Sequence, residues 1–403
     1  MLIIYRIIYF LISHLLLLLH SILPLHLKKW VDLRRQKFNL ASNEKQRILF
    51  HAASGEIEYV KSVIRNLKIK NPQIEIYVSY TSPSAEKLFA NIRSDVVAFL
   101  PLPWDSPVLI KKFLGQLRPD VIVISRTDFW PEFIHQAGRL KIPLTAVSLF
   151  PTLGYFQNIW LKFNLSKMSL ITAVNENLCE QLNQILDHKI KTVFVPDTRF
   201  DQVLYRLKQP SKFEIVSDQK ICVFGSTWPE DEIILFEMTS ELISAGYQII
   251  WCPHHVSALQ IQKLKFKLSS FSVSILSEIH SPYNFSRQIL IVDRVGFLAD
   301  MYKYSQFSFV GGSFKSKVHS VMEPLCAGNP VIVGPFYKNN PEAIDGIKNG
   351  FVFSVKNKSD FLNTIQKIDF SKTKEDLLKN INQMIGSSEV TANMILSFLP
   401  RHK

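Results

Sequence analysis

Cysteine is scarce in this chain: four occur in 403 residues, at Cys179, Cys222, Cys252 and Cys326, with no C-x-x-C pair. That spacing excludes a disulfide framework and a zinc ribbon, and it reads as buried, reduced thiols in a cytosolic body. Long apolar runs are scarce as well. Only one exists, between Ile7 and Leu27, so a polytopic membrane protein is excluded. Hydrophobic residues at 47% and charged residues at 20% exclude a disordered or collagen-like chain. There is no G-x-S-x-G, no convincing Ser-His-Asp set, no G-x-G-x-x-G and no P-loop lysine, which leaves hydrolase and P-loop chemistry without support. Acidic residues are the minority, 34 against 47 basic, for a formal charge of +13. The partner should therefore be anionic: nucleic acid, acidic lipid or a charged substrate. The positive charge is dispersed and no recognised RNA or DNA module is present, which argues against nucleic acid.

What is present begins with the leucine-rich start. From Ile7 to Leu27 the run is broken only by Ser13, His14, His20, Ser21, Pro24 and His26. At 1.5 Å per residue, about 18 to 20 residues just match a bilayer core of about 30 Å. Lys28, Lys29, Arg34, Arg35 and Lys37 follow, with Trp30 at interfacial depth, and the positive-inside rule places this flank in the cytoplasm. The expectation is an uncleaved N-terminal anchor in residues 1–40 that holds a cytoplasmic body at the inner membrane. A half-inserted interfacial helix is the alternative; a signal peptide is disfavoured, because no small-residue cleavage site follows the run.

The remaining length suggests two domains. Short β-rich runs alternate with amphipathic stretches: Ile48–Ala52, Ile74–Tyr80, Val96–Leu100, Val121–Ile124, Thr145–Leu149, Leu170–Val174 and Thr192–Val195, then Ile221–Phe224, Gln248–Cys252, Ser272–Leu276, Ile289–Val292, Phe307–Val310, Pro330–Val333 and Phe351–Val355. Strand and helix in turn predict an α/β fold of two doubly wound parallel sheets, residues 41–200 and 201–403, the second carrying the C-terminal helices. Ligands of such sheets bind beyond the carboxyl ends of the strands, so the loops there are the candidates.

Four loops stand out. In Ser54-Gly55-Glu56, glycine permits close ligand approach, and Glu56 is either a helix-dipole partner or a general base. Gly225-Ser226-Thr227, before the acidic Glu230, Asp231 and Glu232, suits a phosphate or a plain N-cap. Gly311-Gly312-Ser313 can bring backbone amides to an anion, and His319 and Glu323 beyond it lie four apart, as on one helical face. His254-His255 invites thoughts of metal, but adjacent side chains point apart and no third ligand lies at suitable spacing, so a polar edge is the better reading and no metal is expected.

Taken in order, these loops resemble the 3-deoxy-manno-octulosonic acid (Kdo) transferases of lipid A assembly, GT-B glycosyltransferases with an N-terminal anchor. The resemblance spans nearly the whole chain: His51-Ala52-Ala53-Ser54-Gly55-Glu56, Leu117-Arg118-Pro119-Asp120, Phe129-Trp130-Pro131, Asp197-Thr198-Arg199-Phe200-Asp201, Gly225-Ser226-Thr227, Phe309-Val310-Gly311-Gly312-Ser313, Glu323-Pro324 and Gly334-Pro335. It implies transfer of Kdo from CMP-Kdo to a lipid A precursor (lipid IVA), with inversion and without a bound metal or cofactor. It makes Glu56 the base with Asp128 as the second catalytic carboxylate. Gly225, Ser226, Thr227, His254, His255, Gly296, Gly311, Gly312, Ser313, His319 and Glu323 fall on the donor side, with Glu323 accepting from the ribose. Ser54, Gly55 and Arg126 fall on the acceptor side. The chain departs from the family pattern in three places. Arg126-Thr127-Asp128-Phe129-Trp130-Pro131 stands for E-T-E-L-W-P, Pro253-His254-His255-Val256 for P-R-H-P, and Lys317-Val318-His319-Ser320-Val321-Met322-Glu323-Pro324 for G-G-H-N-x-x-E-P. Arg126 is placed to meet the donor carboxylate in place of the lost arginine. Two other readings follow from the departures: a GT-B enzyme using a UDP-sugar, and a non-catalytic membrane-bound scaffold.

Overall fold

The computed structural model describes residues 1–36, 45–151 and 153–400; Lys37 of the basic flank and the stretch around the expected boundary at residue 40 lie outside them. The chain forms two units, Met1–Gln202 with Met384–Lys403, and Val203–Gln383.

The first unit holds a seven-stranded parallel sheet: β1 (Arg47–His51), β2 (Glu75–Tyr80), β3 (Ala98–Pro101), β4 (Val121–Ser125), β5 (Leu144–Leu149), β6 (Leu170–Ala173) and β7 (Thr192–Phe194). Their order is β3-β2-β1-β4-β5-β6-β7, so the chain reverses direction across the sheet between β1 and β4. β1 and β4 have apolar centres, residues 48–50 and 121–124, and are fully buried because helices cover both faces, as a parallel sheet requires. One face packs Leu49, Ile122 and Ile124 on Phe113, Phe133 and Leu165; the other packs Ile48, Phe50 and Val123 on Val60, Val63 and Ile64.

The second unit holds β8 (Ile215–Val216), β9 (Lys220–Thr227), β10 (Tyr247–Pro253), β11 (Val273–Ile275), β12 (Tyr283–Asn284), β13 (Ile289–Ile291), β14 (Phe307–Val310), β15 (Val331–Val333) and β16 (Val352–Ser354). Seven of these form a second parallel sheet, ordered β11-β13-β10-β9-β14-β15-β16, and β8 and β12 pair separately. The last helix, Ser387–Leu396, expected with this domain, packs with the first instead. Ala392 and Ile395 enter the core beneath β1, and Asp201 accepts from the backbone of Gly386 and Ser388 at 2.9 and 2.7 Å.

The N-terminus corrects the expectation of a spanning anchor. The apolar run does not form one helix: α1 (Leu2–Leu18) ends, a short turn follows, and α2 (Leu25–Leu33) begins after Pro24. Proline forces the residue before it out of the helical region, and Leu23 is extended at ψ 148°. The 17 residues of α1 reach about 25 Å. No helix among the described residues is long and apolar enough to cross a membrane. Most of its polar residues face the protein: Tyr5 donates to Asp105 at 2.7 Å, Arg6 pairs with Glu132 at 2.7 and 3.0 Å, and Ser13 is buried, while His14 is exposed. Its apolar residues face outward, Ile3, Ile4, Ile7, Ile8, Leu11, Ile12, Leu15 and Leu18 among them.

Candidate active site

In the first unit the site grows from the carboxyl ends of β1, β2 and β4. Parallel register sets His51 opposite Ser79 and Ile124. The imidazole, fully buried, meets Ser79 Oγ through Nδ1 at 2.9 Å and Asp128 Oδ2 through Nε2 at 2.8 Å. With Asp128 ionised, Nε2 carries the donated proton and Nδ1 faces the serine hydroxyl. Burial opposes the charge on Asp128, yet the hydrogen bond and charge of His51, with the charge of Arg34, hold its carboxyl below the ordinary range. Arg34 stands over the Trp30 and Trp130 rings at 4.2 and 4.5 Å.

Glu56 lies in a 3-10 turn, Gly55–Tyr59, and its Oε2 accepts the Ser54 N–H at 2.9 Å. Its backbone carbonyl accepts from Ser125 Oγ at 2.7 Å, which ties the turn to the end of β4. A second tie runs through the loop after β2: Ser84 Oγ meets Ser54 Oγ at 2.7 Å, and Thr81 Oγ1 reaches Asp128 at 3.5 Å. Gly55 opens the 3-10 turn without a positive φ, and a Cβ there would meet nothing within 4 Å, so neither backbone nor neighbours demand glycine. Arg126 sits in a different cluster from Asp128. Left-handed at φ 61°, it stacks on Tyr59 at 4.4 Å while Arg199 stacks there at 4.2 Å, and both approach Asp197 Oδ2, at 4.0 and 3.4 Å.

In the second unit the glycine-rich loops are packed on each other. A Cβ on Gly311 would collide with Ser226 O and lie 2.7 Å from Thr227 Cα, and Gly312 has φ 83°. The Gly312 amide, expected to face an anion, is taken by Asp231 at 2.6 Å, as is the Phe314 amide at 3.0 Å; Asp231 also accepts Trp228 N–H at 2.9 Å. The Gly311 amide donates to Gly225 O, and Ser313 Oγ bridges Val310 O and the Gly334 amide. Thr227 Oγ1 accepts from the buried Trp251 indole at 3.0 Å, while Ser226, half-buried, is held left-handed at φ 54°. Gly296 lies in the turn after β13 and its carbonyl accepts from Lys212.

The histidines do not point apart. His254 stacks on Trp228 at 4.6 Å, His255 meets the same ring edge-on at 4.8 Å, and His319 stacks on His254 at 4.6 Å. Trp228 Nε1 donates to His319 Nε2 at 2.8 Å, and Lys315 stands 3.6 Å over the indole. Burial, then His254 and Lys317, lower the His319 pKa to about 4, so it stays neutral with its proton on Nδ1. His319 precedes the short helix Met322–Cys326, so it shares no helical face with Glu323, whose carboxylate is paired with Arg206. Beside this cluster, at the ends of β9 and β10, a cavity of about 250 Å³ is lined by Thr227, Glu232, His255, Gln260, Lys263 and Lys267. No group of three or more His, Cys, Asp or Glu among the described residues is arranged to hold a metal ion.

His51, Ser79, Trp228 and Asp231 were not singled out as site residues. His51 had one signal, a histidine closing an apolar strand directly before the S-x-G-E loop.

Comparison with known proteins agrees with this geometry. Residues 32–202 match the family model described as 3-deoxy-D-manno-octulosonic-acid transferase (kdotransferase). A 3-deoxy-D-manno-octulosonic acid transferase of Rickettsia prowazekii is 24% identical over 80% of this chain and 71% of its own length. That of Chlamydia pneumoniae is 27% identical over 73% and 70%. Among solved structures, the UDP-GlcNAc 2-epimerase of Neisseria meningitidis shares the fold with a TM-score of 0.60 at 15% identity, over 88% of this chain and all of that one. These similarities make the chain a glycosyltransferase with two Rossmann-like sheets in a GT-B-like fold, similar over most of its length to 3-deoxy-D-manno-octulosonic acid transferases.

Proposed function

We propose that this protein is an inverting glycosyltransferase that moves Kdo from CMP-Kdo to a lipid A precursor, lipid IVA, in lipopolysaccharide biosynthesis. The observation that carries the reading is Glu56: a carboxylate just beyond the carboxyl end of β1, steadied by the Ser54 amide and roped to the β2 and β4 loops. Glu56 takes the proton of the acceptor hydroxyl as its oxygen bonds to the anomeric carbon. The bond to the CMP phosphate breaks on the opposite face, and its electron pair leaves on the phosphate oxygen. The Tyr59-stacked guanidiniums of Arg126 and Arg199, both approached by Asp197, suit the carboxylate of an acidic sugar. The stacked rings of Trp228, His254 and His319 suit a nucleobase, and Lys315 with Ser226 suits a phosphate.

The inverted patterning of α1 supports membrane attachment in the plane of the cytoplasmic leaflet, with the apolar face in lipid and Lys28, Lys29 and Arg35 at the headgroups. Attachment confines enzyme and lipid acceptor to one surface and raises their effective concentration. The test is CMP release from CMP-Kdo in the presence of lipid IVA, with CMP and UDP compared as competitors. Stronger competition by UDP sinks the donor assignment.

A further inference from the structure

We propose that the groove between α2 and the loop after β2 seats one acyl chain of the phosphorylated glycolipid acceptor and so positions its sugar against Glu56. The inference rests on the acceptor being a lipid, as proposed above, and names how that lipid is held. The groove has a volume of about 520 Å³ and is lined by Leu16, Leu27, Trp30, Val31, Pro83 and the stem of Lys29. That volume lies within the usual range for small-ligand sites, roughly 300 to 1,000 Å³.

Three observations favour an acyl chain over a soluble ligand. Leu16 belongs to the helix whose exposed apolar face is assigned to lipid, so the groove shares a wall with that helix. Its walls are largely apolar, and its polar groups are confined to Lys29 and His26 on α2 and to the serines of the β2 loop. The Lys29 ammonium in an otherwise largely apolar trough matches a lipid that carries phosphate next to its chains. The third is connection: Ser84, at the far wall, is hydrogen-bonded to Ser54, whose amide holds Glu56, and Thr81 of the same loop reaches Asp128. A chain lodged against Pro83 and Ser84 therefore fixes the sugar beside the base, which converts remote binding energy into orientation at the reacting atoms. A second apolar groove, between α1 and Trp104–Leu109, has the greasy lining but no such hydrogen-bonded link to either carboxylate.

The experiment uses the full chain and monomeric acyl glucosamine phosphates with chains of about four to ten carbons, for which wild-type Kd should fall about threefold to fourfold per added methylene. Leu27→Trp and Leu16→Trp, which fill the groove, should flatten that slope, with CMP affinity and the circular dichroism melt reporting that both units remain folded. A diazirine at the chain end of the longest probe should label residues 26–31 and 82–84. A flat wild-type slope, a slope retained in both filled variants, or labelling confined to 104–109 overturns the proposal. A steep slope with correct labelling but no CMP release from CMP-Kdo leaves the groove standing and removes the donor assignment. CMP release with acylated and deacylated acceptors alike, with no slope, does the reverse.

Discussion

Asp105 holds the N-terminal latch, and its ionisation should be visible in the stability of the protein. The carboxyl is buried, accepts from Tyr5 of α1 at 2.7 Å, and accepts from the Glu132 and Phe133 amides at 2.9 and 2.8 Å, which open the helix Pro131–Arg139. Burial raises its pKa from 3.8 to about 6 in spite of those hydrogen bonds. Between these values the folded protein keeps a proton that the unfolded chain has released, so stability falls as pH rises through the window and the loss is complete above about 6. A rise of that size corresponds to roughly 3 kcal/mol, of which about 2 kcal/mol should return between roughly pH 7.5 and 4.5. Asp105→Asn has no proton to exchange. It loses an acceptor for one amide or for Tyr5, at about 1–3 kcal/mol, and escapes the charging penalty, so at neutral pH it should lie close to wild type. The assay is urea unfolding of both proteins across that pH range, read as the difference between them. The difference should widen in favour of wild type by about 2 kcal/mol as pH falls. A difference that stays flat, or narrows, refutes the reasoning.

Other perturbations separate the roles assigned above. Asp231→Ala orphans three backbone amides at about 1–3 kcal/mol each, so it should lower unit-two stability by several kcal/mol and weaken CMP binding, read by calorimetry. Arg6→Met leaves the buried Glu132 without its cation and should cost about 3–5 kcal/mol in chemical denaturation, most of it recovered in the double variant Arg6→Met/Glu132→Gln. His51→Gln removes the imidazole from Asp128, a charge-assisted contact of about 1.5–3 kcal/mol, and should lower kcat by roughly 10- to 150-fold with CMP affinity unchanged.

The sheets were legible because their strands are short, nearly continuous apolar runs such as Ile48-Leu49-Phe50 and Val121–Ile124, buried on both faces. The two-residue strands β8 and β12 carry no such pattern. The N-terminal run has the composition of a span; Pro24 cuts it, and Tyr5, Arg6 and Tyr9 turn one face of α1 to the protein. Glu56 could be named because the S-x-G-E loop is local. His51 and Asp128 are 77 positions apart, and the Asp231 clamp reaches Gly312 across 81, so both depend on strand register and loop packing that no local pattern encodes. Gly311 and Gly312 read as an anion loop, yet the crowding of Ser226 and Thr227 already demands glycine at the first and the positive φ favours it at the second.

The central claim is that Glu56 removes a proton from a lipid acceptor as Kdo leaves CMP. It is tested most directly by following CMP release from CMP-Kdo with lipid IVA for wild type and Glu56→Gln, with product mass resolved and CMP affinity measured alongside. The account predicts acceptor-dependent CMP release and a lipid gaining Kdo in wild type, a loss of roughly 10²- to 10⁴-fold in kcat for the variant, and an unchanged CMP affinity. Undiminished turnover in Glu56→Gln, or no transfer by wild type, contradicts it.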